Sequence, residues 1–348
     1  MRHPAHLIRS ARLLLAVLAP ALALTASLLP APAAAQGTPA RATTLALPAT
    51  AIHFTPIYIA ADAGLWSKRG LDVKLPLIAG PGATNAVIAG SADFASTAAT
   101  SVLRAAARGQ PMLVIATTHA EFLLEVVLSE KAARERKIDP KADLATRVRA
   151  LKGATIAIDA PLGLPHGMLK YLGAKAGVDV DKELTLTPMQ PPNMVASLKS
   201  GAIDGFAFSE PFVATAVDQG AVVVIRNSRD DMPEINPYAS NVIVTRPDYC
   251  QKNESICRDL VAGLAEALKM MQDEPAKARE ILRARFAQLP APVLERSFEL
   301  IRSTSPKDPT TDERALRNTQ QFALTGGTLK PDEKRDDLAS LFSNRFAK

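Results

Sequence analysis

The chain is poor in reactive groups. It holds two cysteines and five histidines in 348 residues, and two of those histidines, His3 and His6, fall within the first 35. No G-x-S-x-G, no P-loop and no G-x-G-x-x-G opening a helix after a strand occurs, so the usual signatures of a serine hydrolase, an NTPase and a dinucleotide enzyme are missing. "GPGATN" at 80–85 is too short for a phosphate fingerprint. No His pair has the spacing H-x-H or H-E-x-x-H, and no metal site or cofactor is expected. His53, His119 and His166 all fall in expected cleft loops or at a hinge, with Glu121 nearby. Neutral hydrogen bonding to a ligand or to backbone is the reading for them.

Beyond residue 35 no run is long and apolar enough to span a membrane. The first 35 residues carry Arg2, Arg9 and Arg12, then "LLLAVLAPALALTASLL", then an Ala33-x-Ala35 site before Gln36. This is the grammar of a secretory signal peptide. Pro20 and the small-residue tail argue against a retained anchor, and no Cys at the cleavage site suggests a lipoprotein. A periplasmic location is expected. The 41 basic residues less those three leave 38 against 35 acidic, a balance of +3 that argues for no nucleic-acid partner. In an exported chain Cys250 and Cys257 are expected to pair. On one helix they would stand roughly 10 Å apart, so pairing needs Cys250 ahead of the helix, with Asn253 as a cap.

From Thr43 the chain alternates short apolar runs with helical stretches: "TLALP", "TPIYIAADAGLWSKRG", "LDVKLPLI", "GATNAVIAG", "ADFAS", "AATSVLRAAARG", "PMLVIATT". This βαβ rhythm predicts α/β lobes, each a mostly parallel sheet flanked by helices. The phrase then repeats. "TIAI" at 155–158 echoes "TLAL" at 44–47, and Gly201 and Asp204 echo Gly90 and Asp93, each 111 residues apart. "GVDV" at 177–180 echoes "GLDV" at 70–73. Two lobes of like topology are expected, with chain crossings near 119–122 and 238–242 making a two-stranded hinge. The stretch 131–150 reads as a charged, exposed connector, and the chain after about residue 254 as packed helices.

In open parallel sheets, ligands bind outside the carboxyl ends of the strands. Those ends are 48–56, 79–85, 95–100, 159–167, 190–194 and 208–212, and none contains Lys or Arg. Most run into an expected helix, whose N-terminal N–H groups receive an anion or carbonyl. Each end contributes about 0.3 to 1 kcal/mol, against roughly 8 for micromolar affinity. Helix ends would therefore orient a ligand, with burial and aromatic contact supplying the rest. Ser96, Thr97 and Ser209 read as helix caps at such ends, and Asp93 and Asp204 as turn or capping residues.

"YIAADAGLWSKRGLDV", "AVIAGSADFAST", "LKGATIAID", "SLKSGAIDGFAFSEPFVATAVDQG" and "LAEALKMMQDEPAKAREIL" stand in an order that resembles the periplasmic substrate-binding proteins of ABC importers for nitrate, sulfonates and taurine, with their pyrimidine-precursor relatives. The resemblance covers residues 44–325. It implies a two-lobed periplasmic-binding-protein fold of type II. Residues 42–120 with 242–348 would form lobe 1, and 121–241 lobe 2. It implies a monomer that closes on a small organic solute, anionic, aromatic or heterocyclic, and delivers it to a permease and ATPase complex, with no chemistry of its own. Ligand contacts are implied from His53, Phe54 and Thr55, from Gly82, Ala83, Thr84 and Asn85, from Ser96, Thr97 and His119, from Gly163, Leu164 and His166, and from Asn193, Glu210 and Phe212. Phe54, Phe122 and Phe212 would suit an aromatic ligand or could equally be core. Two other functions stay open on the sequence: a sensory subunit for a membrane receptor, and an enzyme like the pyrimidine synthases of this fold, although the cysteine-rich motif of the latter is missing.

Overall fold

The computed structural model describes residues 40–347 apart from 79–81, 111 and 162; the expected signal peptide lies outside the described residues. The first sheet grows from a regular alternation. Strand β1 (Arg41–Ala46) is followed by helix α1 (Thr55–Asp62), β2 (Leu71–Lys74), α2 (Gly82–Ala89), β3 (Phe94–Thr97), α3 (Ala99–Ala107) and β4 (Leu113–His119). Pro56 suits the first turn of α1, where its missing N–H costs nothing. The helix expected to run on to Gly70 stops earlier, because Gly64 takes a left-handed φ of 67°.

The chain then crosses and builds a second sheet. Its elements are β5 (Glu125–Leu128), α4 (Glu130–Glu135), α5 (Leu144–Arg149), β6 (Thr155–Ile158), α6 (Leu164–Ala176), α7 (Val180–Glu183), β7 (Thr185–Pro188), α8 (Pro191–Ser200), β8 (Gly205–Phe208), α9 (Phe212–Asp218), β9 (Val222–Ile225) and α10 (Ser228–Asp231). It crosses back into β10 (Asn241–Thr245) and ends in α11 (Pro247–Lys252), α12 (Glu254–Asp273), α13 (Pro275–Arg285), α14 (Ala291–Thr304) and α15 (Glu313–Thr325).

Strand order is β2-β1-β3-β10-β4 in one sheet and β7-β6-β8-β5-β9 in the other. In each, one strand is antiparallel to its neighbours, and it is the strand that has just arrived from the other lobe: β10 and β5. This is the expected two-lobed α/β architecture. The crossings bond to each other, Tyr238 N–H to Ala120 O at 2.8 Å and Ser240 N–H to His119 O at 3.1 Å.

The repeated phrase has a shared physical cause. Asp93 Oδ2 accepts the N–H of Thr44 at 2.8 Å, and Asp204 Oδ2 accepts the N–H of Thr155 at 2.9 Å. Each carboxylate stands just before a strand and ties its start to the neighbouring parallel strand, β3 to β1 and β8 to β6. The third echo is weaker: Gly70 and Gly177 share a left-handed φ, but β2 follows the first and α7 the second.

Three expectations need correction. Residues 131–150 are largely exposed as expected but are more than a connector: they form α4 and α5, Ala132, Ala133 and Val148 are buried, and Arg147 makes a bidentate pair with Asp231 at 2.6 and 2.8 Å. Ser96 and Thr97 do not cap α3, since both end β3 and the cap position is Ala98 with no side-chain bond. Nor do all the C-terminal helices belong to one lobe. Leu294, Phe298 and Ile301 of α14 join the first lobe's core. In α15, Leu316 and Ala323 pack with the first lobe while Phe322 enters the core of the second. There it meets Phe122 and Tyr238, on the two crossings, at ring-centre distances of 4.9 and 5.4 Å.

Cys250 and Cys257 are bonded, with Cα atoms 5.8 Å apart. The pair staples α11 to α12, and Asn253 sits at the junction without a side-chain cap bond. Among the described residues no helix is long and apolar enough to cross a membrane.

Candidate functional site

Strand ends and helix starts from both lobes surround a cavity of about 320 Å³. Lobe 1 supplies Pro48 after β1, His53 and Phe54 before α1, Thr97 and Ala98 between β3 and α3, and His119 at the end of β4. Lobe 2 supplies Asp159 after β6, Gly163 and Leu164 at the start of α6, and Ser209 after β8. The crossings add Leu123, Leu124, Ser240 and Asn241, and Thr328 follows α15. The site thus lies at the carboxyl ends of the parallel strands, where such sheets bind ligands.

Two helices start here without side-chain caps: α3 at Ala98 and α6 at Gly163. Gly163 is required by space. A Cβ there would approach Asp159 Oδ1 to 2.6 Å and Ala160 O to 2.9 Å. The Asp159 carboxylate therefore sits against the positive end of α6.

The floor is polar and oriented. The Asn241 amide donates to Thr118 Oγ1 at 2.7 Å and accepts from Ser96 Oγ at 3.0 Å. Beside it His119 is fully buried, and neither ring nitrogen has a hydrogen-bond partner among the described residues. Burial, reinforced by the nearby His53, holds its pKa down to about 3, and burial lowers His53 to about 4. Both imidazoles are neutral at pH 7, each with one donor and one acceptor to offer.

Among the described residues one guanidinium reaches the cavity. Arg104 stands in α3 on the face shared with Thr100 and Ser101, four and three residues before it. Its one hydrogen bond, to Thr328 O, is long at 3.4 Å, and no carboxylate pairs with it among the described residues. Burial lowers its pKa. Asp159 is the opposing charge: burial raises its pKa, against the Ala160 N–H and His166, which lower it.

The chain matches the model described as the NMT1-like family over residues 39–285. The chain belongs to the NMT1-like family. It is 30% identical over 120 residues to the nitrate import ATP-binding protein NrtC of Synechocystis, 34% of this chain but only 18% of that relative's length. It is 26% identical over 239 residues to the putative aliphatic sulfonates-binding protein of Escherichia coli, covering 68% of this chain and 69% of the relative. Among solved structures, the periplasmic aliphatic sulphonate binding protein SsuA of Escherichia coli aligns with a TM-score of 0.67 at 20% identity, over 86% of this chain and 91% of that one. The last is a likeness of fold. The expected kinship with nitrate- and sulfonate-binding proteins holds.

Within this NMT1-like cleft the sequence-derived residues divide. His53, Phe54, Thr97, His119, Gly163 and Leu164 line the cavity together. Thr84 and Ser96 stand one layer back, Thr84 donating to Thr97 at 3.1 Å. Thr55 spends its hydroxyl on Ile52 O. Gly82 and Ala83 lie in α2 away from the lining, and Asn85 and Asn193 are exposed. His166 turns to Asp181, 2.7 Å away. Glu210 is committed to Arg296 at 3.0 Å and to Ala214 N–H at 2.7 Å. Phe212 packs on Phe208, and Phe122 is core.

The sequence reading missed Arg104, Asp159, Ser101, Ser240, Asn241 and Thr328, and left Ser209 as a cap. The strand-end loops do lack Lys and Arg, but Arg104 arrives from the second turn of a helix. Its signal was the helical spacing from Thr100 and Ser101.

Proposed function

We propose that this chain is the periplasmic solute-binding component of an ABC importer, which captures a small organic solute between its lobes and passes it unchanged to a permease. The observation that carries this is the interlobe cavity, lined by both lobes, whose convergent polar groups are incompletely used among the described residues: His119 at neither ring nitrogen, Arg104 in one long bond to Thr328 O, and Asp159 through Oδ1 alone. Such groups acquire their partners from a ligand. The kinship with relatives named for nitrate import and aliphatic sulfonate binding supports the transport role. On this reading the chain works as a monomer, is exported by its first 35 residues and needs no cofactor.

Ligand-dependent thermal stabilisation tests it. A panel of sulfonates, aromatic acids, amino acids and pyrimidines contains at least one solute that raises Tm saturably and is recovered intact. No shift across the panel, or turnover of a bound compound, overturns the reading.

A further inference from the structure

The charges in the cavity are arranged by lobe. Arg104 stands in lobe 1, in the last turn of α3, a helix whose N-terminus at Ala98 also opens on the cavity and carries no capping side chain. Asp159 stands in lobe 2 and already occupies the start of α6, so that helix end has its counter-charge. The first wall is thus positive and the second negative. Asp159 Oδ1 accepts the Ala160 N–H at 2.8 Å, and Oδ2 has no partner among the described residues. Arg104 makes no direct ion pair among the described residues, although the Glu333 carboxylate is close enough to act on its charge. His119 lines the same cavity, fully buried, and neither ring nitrogen has a partner among the described residues.

Resting on the solute-binding reading above, we propose that the cleft selects a bipolar solute. An oxyanion at one end meets Arg104 and the start of α3, and a protonated amine or comparable cationic N–H group at the other meets Asp159. The neutral imidazoles of His53 and His119 contact the body of the solute. The chemical class is a small zwitterion of the amino-acid kind. A bare anion neutralises Arg104 but leaves a half-buried carboxylate facing it with no cation between. A zwitterion cancels both charges and ties one lobe to the other.

The experiment is equilibrium binding of matched triplets: 4-aminobutyrate, butyrate and butylamine, then 4-(aminomethyl)benzoate, 4-methylbenzoate and 4-methylbenzylamine, with nitrate and ethanesulfonate as plain anions. The two-ended member of a triplet is expected to bind on the order of 30-fold more tightly than its acid-only partner. Asp159→Asn, nearly isosteric, should reduce that preference to a few-fold, and Arg104→Gln should weaken every acid. Circular dichroism and Tm of the ligand-free variants confirm folding. Plain anions that bind as tightly as the two-ended compounds, or a preference unmoved in Asp159→Asn, overturn the proposal while leaving solute binding intact. Failure of every solute in these sets and in the wider panel removes the solute-binding reading, and this inference with it.

Discussion

Asp93 reaches back across its sheet to the backbone N–H of Thr44, 2.8 Å away. The same carboxylate accepts the hydroxyls of Thr43 and Thr44 at 2.9 and 3.0 Å. Asp204 repeats the bond to Thr155 and adds Arg136 at 3.0 Å. Removing either carboxylate leaves a strand N–H without its partner, which costs about 1–3 kcal/mol. Asp93→Ala and Asp204→Ala should each lose stability in urea by that amount. Solute affinity should hold, because neither residue lines the cavity.

The ion cluster on α14 links the lobes and should titrate. Arg296, on a helix packed into lobe 1, bridges Glu125 and Glu210 of lobe 2 at 3.0 Å each. Burial, opposed by Arg296 and aided by Glu210, pushes Glu125 up to about 7. Burial likewise raises Glu210. A carboxyl with a raised folded pKa binds more protons in the native state, so its contribution falls as pH rises through 7. Glu125→Gln should therefore be more favourable relative to wild type at pH 8 than at pH 5, by about 2 kcal/mol. Denaturation curves at both pH values check this, and an equal difference at each contradicts it.

His119 should act with the opposite sign. Its native pKa of about 3 lies below the ordinary value of 6.5, so the unfolded chain takes up the proton first. Stability then drops as pH falls below 6.5, by roughly 1.4 kcal/mol per unit for a fully separated site. His119→Gln should lose about 2 kcal/mol less than wild type between pH 6.5 and 4.5. Parallel curves would show that His119 is hydrated and free to protonate.

These residues also show where sequence reading reaches. Thr44, Asp93 and their echoes were legible because one strand-pinning bond imposes the same residue at the same spacing twice. Cys250 and Cys257 were legible because exit from one helix before the next was the geometry that let them bond. The insertion of β10 between β3 and β4 was not. Pairing across more than a hundred residues leaves no local trace in a run as short as "NVIVT". Arg104 escaped because the search stopped at strand ends, while the cavity continues down a helix face. His166 misled for the converse reason: its loop opens α6, and one turn in, its ring points to Asp181.

On the proposed function, the interlobe cavity holds one small solute without altering it. The direct measurement is calorimetric binding of panel solutes to wild type and to Ser101→Phe, which fills the cavity from α3, with the solute recovered and weighed by mass spectrometry. The expected result is one solute per chain, at micromolar Kd or tighter, returned unchanged, and bound at least ~100-fold more weakly by the variant. Equal binding by both proteins, conversion of the solute, or no binding by wild type across the panel would contradict it.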